Sequence, residues 1–196
     1  MKDPLRIGFA LTGSFCTFGK VMPVIGALAA RGCEITPILS FNAAALDTRF
    51  GDAAMWREKL VELTGREPID TITAAEPIGP KKLFDVLAVA PCTGNTLAKL
   101  AHGITDTPVT MAVKSHLRGE KPVVIAVSTN DGLSGSAANL GTLLGRRHFY
   151  FVPLRQDAPL AKPRSLVADM EHLPETIGAA LEGRQLQPIL LAPGKG

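Results

Sequence analysis

Short apolar runs recur along the chain and are separated by longer segments with helical spacing. Runs of about four to eight apolar residues are typical of strands that are buried on both faces of a parallel sheet. We therefore expect strands at residues 5–11, 34–39, 69–73, 84–90, 122–127 and 149–152. Pro37 lacks the N–H that a ladder needs, which indicates a sheet edge or a strand end. Pro91 is expected to end the fourth strand.

Between these runs, apolar residues recur at the period of an amphipathic helix. The predicted helices cover residues 18–31, 55–63, 95–101, 109–117, 134–144 and 166–181. Gly32 is a stop signal for the first helix, in which Pro23 is tolerable only within the first turn. Pro174 breaks or restarts the last helix, which follows a proline-rich loop at residues 153–163.

Strand and helix alternate for about 150 residues, and this alternation predicts a doubly wound α/β fold. The expected architecture is a mostly parallel sheet with helices on both faces, joined by right-handed crossovers. A chain of 196 residues is too short for two full-sized domains with separate cores. We therefore expect a single domain over residues 1–196, with a C-terminal loop and helix at about residues 153–182.

Composition changes this picture little but excludes several classes of protein. Hydrophobic residues make up 46% and charged residues 20%, so the chain has enough apolar surface to fold. The net charge of +3 comes from scattered basic residues, and we expect no nucleic-acid partner. No apolar run has the length of a membrane span. The three cysteines form no CxxC pair, which indicates a cytoplasmic location without a disulfide or thiolate metal site.

The loops that follow the strands carry the candidate chemistry, because open α/β sheets bind ligands outside the carboxyl ends of their strands. Residues there are small and bear hydroxyl or amide groups, and only Asp131 is charged. Such loops let N–H and hydroxyl groups approach a phosphate closely, although the same residues also serve as ordinary turn and cap residues. The candidate binding residues are Gly13, Ser14, Ser40, Pro91, Thr93, Asn95, Thr96, Ser128 and Asn130.

Familiar nucleotide motifs are missing from the sequence, and the catalytic residues are unknown from it. The segment 13–19 lacks the GxGxxG fingerprint, and GxxxxGK[ST] occurs nowhere in the chain. The four histidines have no partners at metal-ligand spacing, so we interpret them as structural and expect no metal. Cys16 and Cys92 lie in the candidate loops, where we interpret them as small fillers.

Several segments resemble a known superfamily. Residues 13–14, Asn130 and the segment 90–99, A-P-C-T-G-N-T-L-A-K, are similar to the homo-oligomeric flavin-containing Cys decarboxylases, whose signature is a P-A-S-A-N-T-like loop. The loop also resembles the P-C-S-x-x-T-L-A of the flavin prenyltransferases. Within the superfamily, the segments that resemble the family of dipicolinate synthase B subunits are residues 47–51, 79–81, 150–159 and 186–188.

The resemblance implies a Rossmann-like flavoprotein with a pocket for flavin mononucleotide (FMN). Ser14 and Ser40 match positions whose hydroxyls hold the phosphate, and residues 91–96 match the loop that lies against the isoalloxazine ring. Pro77 stands where the decarboxylases carry a histidine. Decarboxylase activity is therefore not carried over to this chain.

The resemblance further implies a homo-oligomer that acts with the A subunit of dipicolinate synthase, which binds NAD(P). Together they would form dipicolinate from a small-molecule precursor at the dihydrodipicolinate level, in sporulating cells. Two alternatives stay open: a non-catalytic subunit that stabilises its partner and has a vestigial flavin pocket, and a stand-alone flavin-dependent decarboxylase or prenyltransferase. The role of Asn95 is also open, between a ligand contact and a helix N-cap.

Overall fold

A seven-stranded, mostly parallel sheet forms the centre of the fold. The structure, a computed structural model, describes residues 3–192. Its strands are β1 (Arg6–Leu11), β2 (Glu34–Leu39), β3 (Val86–Cys92), β4 (Val123–Thr129), β5 (Phe149–Phe151), β6 (Leu154–Arg155) and β7 (Leu166–Ala168). The strand order is β2-β1-β3-β4-β7-β6, and β5 pairs with the first half of β4. β1 to β5 run parallel, whereas β7 is antiparallel to both β4 and β6.

Helices flank this sheet on both faces. They are α1 (Phe18–Ala30), α2 (Phe41–Ala45), α3 (Ala53–Thr64), α4 (Ile72–Ala75), α5 (Gly94–His102), α6 (Pro108–Leu117), α7 (Ala137–Leu144) and α8 (Leu173–Leu181). One group consists of α1 packed against α3 and α8, and the other of α5 packed against α6 and α7. The doubly wound α/β fold expected from the alternation of strands and helices is confirmed.

The central strands are buried on both faces, which explains why short apolar runs in the sequence predicted them. Every residue of β3 is buried, as are all but the first of β1 and all but the last of β4. These strands need apolar residues on both faces because helices cover both sides of the sheet. Pro37 lies in β2, which is the edge strand, and the predicted edge position is thus confirmed.

Two prolines lie at positions that differ from their predictions, which placed Pro23 in the first turn of its helix and Pro91 at the end of its strand. Pro23 is inside α1, beyond its first turn. Pro23 and Gly19 are both exposed, so solvent can reach the Gly19 carbonyl that the proline leaves without an N–H donor. Pro91 does not end β3, which continues to Cys92 with a shift of register after Val89.

The expected strand at residues 69–73 is wrong. Only Ile69 pairs with the sheet, through a single parallel bridge to Ile38 on the outer edge of β2. Thr71 then accepts a hydrogen bond from Ala74 N at 3.2 Å and caps α4. A threonine side chain that bonds a main-chain N–H two or three residues ahead starts a helix, which here outweighs the β propensity of the segment.

The C-terminal part also differs from its prediction. The segment 166–181 is not one helix: its first residues form β7, a short 3₁₀ turn follows at Met170–His172, and only α8 is α-helical. The apolar residues of β7 are used for antiparallel pairing with the end of β4. The expected loop at 153–163 likewise contains β6. The predicted helix at 134–144 begins later, at Ala137.

The parallel arrangement of β1 to β4 decides where the site lies. Because parallel strands end at the same edge, the loops after β1, β2, β3 and β4 converge there. Within residues 3–192, no helix has both the length and the apolar character needed to cross a membrane.

Candidate functional site

Two adjoining cavities lie at the carboxyl edge of the sheet. The first, here called the α5 cavity, has a volume of about 320 Å³ and lies between the start of α5 and the Ser40–Asn42 turn. The second, here called the loop cavity, has a volume of about 520 Å³ and lies under the segment that joins β6 to β7. Gly13 and Thr93 line both cavities, so the two meet at the ends of β1 and β3.

Most of the candidate residues from the sequence line these cavities. The α5 cavity is lined by Gly13, Ser40, Thr93, Asn95 and Thr96. The loop cavity is lined by Gly13, Ser14, Thr93, Ser128 and Asn130. Pro91 lines neither cavity: it is buried, and its carbonyl accepts hydrogen bonds from Thr12 N at 3.2 Å and Thr12 Oγ1 at 2.7 Å.

Three hydroxyls form a cluster beside the loop cavity, and two of them, those of Ser14 and Ser128, line it. Ser14 Oγ lies 2.8 Å from Ser128 Oγ, which in turn lies 2.9 Å from Thr17 Oγ1. Ser14 Oγ and Thr17 Oγ1 are 3.3 Å apart. Thr17 was missed by the sequence analysis, although it follows Ser14 at the spacing of one helical turn. Hydroxyls both donate and accept, so this cluster can turn its O–H groups towards an anion or a carbonyl.

The loop after β3 is fixed to β1 by one buried side chain. Thr12 Oγ1 donates to the Pro91 carbonyl and accepts from Thr93 N at 3.0 Å. The next residues start α5, whose N-terminus borders the α5 cavity and favours an anion. Thr93 caps this helix by accepting a hydrogen bond from Thr96 N at 3.2 Å.

The geometry excludes one of the two roles considered for Asn95. Thr93 is the N-cap of α5, and Asn95 is the second residue inside the helix. Asn95 is exposed and lines the α5 cavity. Its interpretation as an N-cap is therefore wrong, and its side chain is available at the cavity wall.

Asp131 braces the loop after β4. Its Oδ1 accepts hydrogen bonds from Thr129 Oγ1 and, at 2.8 Å, from Ser136 Oγ. The hydrogen bond from Thr129 is the main cause that lowers the pKa of Asp131, and the bond from Ser136 acts in the same direction. The one charged residue of the four predicted loops thus ties Thr129, at the end of β4, to Ser136 before α7, and it does not line either cavity.

Each cavity has one lysine and one aspartate on its wall. In the α5 cavity, Lys99 Nζ donates to Asp106 Oδ1 at 2.7 Å and lowers the pKa of that carboxyl. In the loop cavity, Lys162 Nζ donates to Asp157 Oδ2 at 2.9 Å. Neither pair was predicted. The members of the second pair come from the proline-rich segment 153–163, which was expected to be a plain loop.

A flavin nucleotide fits this set of donors. The two cavities have the volumes of small-molecule sites, which span about 300 to 1,000 Å³. Their walls offer hydroxyls, amides and a helix N-terminus, which suit a phosphate and the polar edge of a ring. Ser40 Oγ caps α2 through Ala43 N at 3.2 Å and also lines the α5 cavity.

Residues 1–140 match the Flavoprotein family model, and the chain belongs to the flavoprotein family. Within that family, it is 48% identical over 191 residues to the B subunit of dipicolinate synthase from Bacillus subtilis (strain 168), covering 97% of this chain and 96% of the relative. The crystal structure of the dipicolinate synthase B subunit from Bacillus halodurans is 43% identical and superimposes with a TM-score of 0.89, covering 97% of each chain. The resemblance found in the sequence is confirmed.

A more distant solved structure has the same fold. The FMN-dependent cysteine decarboxylase SpaF is 26% identical, with a TM-score of 0.68 over 91% of this chain and 95% of that chain. The position of this chain among flavoproteins thus rests on both sequence and structure.

Proposed function

We propose that this chain is the FMN-binding B subunit of a dipicolinate synthase. The observation that carries the proposal is the 48% identity to the Bacillus subtilis dipicolinate synthase B subunit, which extends over nearly the full length of both chains. The site supports it, because the polar walls of the two cavities suit a flavin nucleotide and a small acid. The protein would act in the cytoplasm of sporulating cells.

The chain's own residues would bind and orient FMN. Gly13, Ser14 and Ser40 would receive the phosphate beside the N-terminus of α5, where N–H groups and hydroxyls suit an anion. The Thr93–Thr96 turn would lie against the ring, and Asn95 would donate from its amide. When bound, FMN supplies two-electron redox chemistry.

The proposed reaction converts a precursor at the dihydrodipicolinate level into dipicolinate. Aromatisation removes two electrons and two protons from the ring, and NAD(P) on the A subunit would receive a hydride, while a proton goes to solvent. The residues that line the loop cavity, among them Ser128 and Asn130, would position the small acid there.

FMN binding can be measured on this chain alone. Equilibrium dialysis of the purified chain against FMN should show one bound nucleotide per chain. Ser14→Ala should raise the Kd about tenfold, because a hydrogen bond to a charged group contributes about 1.5 kcal/mol or more. Thr142→Ala, which removes an exposed hydroxyl from α7, is the matched control and should bind like the parent. No retention of FMN by the parent at saturating concentration would refute the cofactor assignment.

The alternative of a non-catalytic subunit makes a different prediction in an assay that includes the A subunit. If the flavin pocket takes part in turnover, Ser14→Ala should reduce dipicolinate formation in proportion to its loss of FMN. If this chain only stabilises its partner, the variant should support turnover like the parent. Pro77, which has no titratable group where the decarboxylases carry a histidine, disfavours a stand-alone decarboxylase.

We also propose that the chain forms a homo-oligomer in which a neighbouring copy covers the mouth of the site. Phe41 and Phe50 line the two cavities and are 47% and 42% exposed, and Leu160 on the segment above the loop cavity is fully exposed. Apolar side chains gathered at a site entrance favour contact with another protein surface. Light scattering should give a mass well above 20.7 kDa, and a monomer mass would contradict this.

A further inference from the structure

The segment between β6 and β7 forms a closed loop over the loop cavity. Gln156 Nε2 donates to the Pro163 carbonyl at 3.0 Å, and Lys162 N donates to the Ala158 carbonyl at 2.7 Å. These bonds tie the two ends of residues 156–163 together. The backbone of this loop is therefore held in one position over the cavity, and so are the Cα atoms of the side chains that it contributes.

Two charged residues of this loop stand out on an otherwise uncharged wall. Among the described residues that line the loop cavity, only Asp157 and Lys162 are charged. Lys162 Nζ donates to Asp157 Oδ2 at 2.9 Å, and this contact raises the pKa of Lys162. A lysine ammonium has three N–H donors, so this bond leaves two for a ligand.

The carboxylate of Asp157 bonds Lys162 through one of its two oxygens only. Its Oδ1 is buried and has no hydrogen-bond partner among residues 3–192. Burial alone would raise the pKa of Asp157, but Lys162 and the hydroxyl of Ser165 outweigh it, so the pKa is lowered. Asp157 is therefore charged and holds the Lys162 ammonium at the cavity wall through its Oδ2.

The other cations near the site are already engaged with carboxylates. Lys99 donates to both oxygens of Asp106, at 2.7 and 2.8 Å. Arg155 lies on the far side of Asp157 and is paired with Asp169. Lys162, whose side chain is 59% exposed, is thus the cation of the loop cavity with donors to spare.

We propose that Lys162, oriented by Asp157, is the specificity residue that binds a ring carboxylate of the substrate in the loop cavity. The inference rests on the proposed function, which makes the substrate a heterocyclic dicarboxylate. Lys162 keeps its bond to Asp157 and donates a second N–H to the carboxylate.

Calorimetry on the FMN-loaded full chain tests this without the partner protein. The probes are pyridine-2,6-dicarboxylate and its uncharged analogue of the same shape, pyridine-2,6-dicarboxamide. Lys162→Gln should weaken binding of the dicarboxylate about 10- to 100-fold, as expected for a charge-assisted hydrogen bond, and should leave binding of the diamide unchanged. Lys162→Arg should retain the dicarboxylate within about threefold, because it keeps the charge.

The matched control is Arg164→Gln, which removes the same charge two residues away from a side chain outside the cavity lining. It should bind both probes like the parent. The Kd for FMN, measured by dialysis, should be the same for all variants within about twofold.

Three results would overturn the inference. The parent could fail to bind the dicarboxylate, Lys162→Gln could bind it like the parent, or Lys162→Gln could lose affinity for FMN instead, which would assign the lysine to the nucleotide phosphate. Failure of the proposed function is seen separately, as absent FMN binding or absent turnover in the presence of the A subunit.

Discussion

At the scale of single residues, the site depends on which side chains are committed to the fold and which are free. Thr93 and Ser40 cap helices, and Thr12 ties two strand ends together, so their oxygens have structural partners. Asn95 lies in the same loop but inside the helix, at the wall of the α5 cavity. A residue with this position is expected to matter more for binding than for folding.

The change Asn95→Asp separates those two properties. The helix should be unaffected or slightly stabilised, because Thr93 remains its cap and a negative charge in the first turn suits the helix dipole. FMN binding should weaken about tenfold or more, because the new carboxylate cannot donate a hydrogen bond and repels a phosphate. Thermal unfolding and equilibrium dialysis measure the two effects.

Thr93→Ala is the companion variant for the cap. Loss of the side-chain bond to Thr96 N should cost about 1 kcal/mol of stability. If Asn95→Asp unfolds earlier than the parent by a similar amount, or binds FMN like the parent, the assignment of Asn95 to the site is wrong.

At the scale of elements, the site needs α5 to approach the turn after β4 closely. A Cβ atom on Gly94 would lie 2.6 Å from Ser136 Oγ, 2.8 Å from Thr129 Oγ1 and 2.9 Å from Asp131 Oδ1. The absence of a side chain at the first residue of α5 therefore lets this helix pack against the hydrogen-bonded turn that Asp131 organises.

Gly94→Ala should consequently destabilise the protein by about 1 to 3 kcal/mol, as overpacking against fixed polar groups does. Gly141→Ala in α7 is the control: nothing lies within 4 Å of its Cβ position, and alanine should stabilise the helix by about 0.5 to 1 kcal/mol. Denaturant unfolding of both variants measures the difference. Equal stability of the two would show that α5 can move away from the turn without cost.

At the scale of the whole molecule, His116 couples global stability to pH. It is buried in α6, Nε2 donates to the Pro122 carbonyl at 3.1 Å, and its ring contacts Phe84. Burial is the main cause that lowers the pKa of His116 to about 4, with the carbonyl and Asp85 acting against it and Lys121 acting with it. The unfolded chain takes up this proton near pH 6.5, whereas the folded protein takes it up only near pH 4.

Because the unfolded state binds more protons between these values, stability should fall as the pH falls from 7 to 4. The loss due to His116 is about 3 kcal/mol. His116→Gln keeps an N–H donor without a titratable ring, so its stability relative to the parent should rise by that amount over the same range. His102→Gln, at an exposed position, should follow the parent. Parallel pH curves for the parent and His116→Gln, measured at one protein concentration, would contradict the prediction.

The sequence by itself determined the fold class and the edge of the sheet where the candidate residues line two cavities. β1, β3 and β4 needed apolar residues on both faces, and this local requirement is visible without the structure. The loops after β1 and β4 are polar, so the candidate residues Gly13, Ser14 and Asn130 could be named from position alone. Ser128, which was also expected in a loop, lies within β4. The strand predicted at 69–73 failed for an equally local reason, since the cap at Thr71 was not recognised.

The tertiary structure decided which of these residues meet and what completes the site. Ser14 and Ser128 are 114 positions apart, and only the packing of strand ends brings their hydroxyls within 2.8 Å. Lys162 and Asp157 come from a segment whose composition predicted a plain loop. Its place over the cavity depends on β6 pairing with β7 and on β7 pairing with β4, which are contacts that the local sequence does not show. Local patterns specify strands and caps, but the side chains that share a cavity are chosen by how the elements pack.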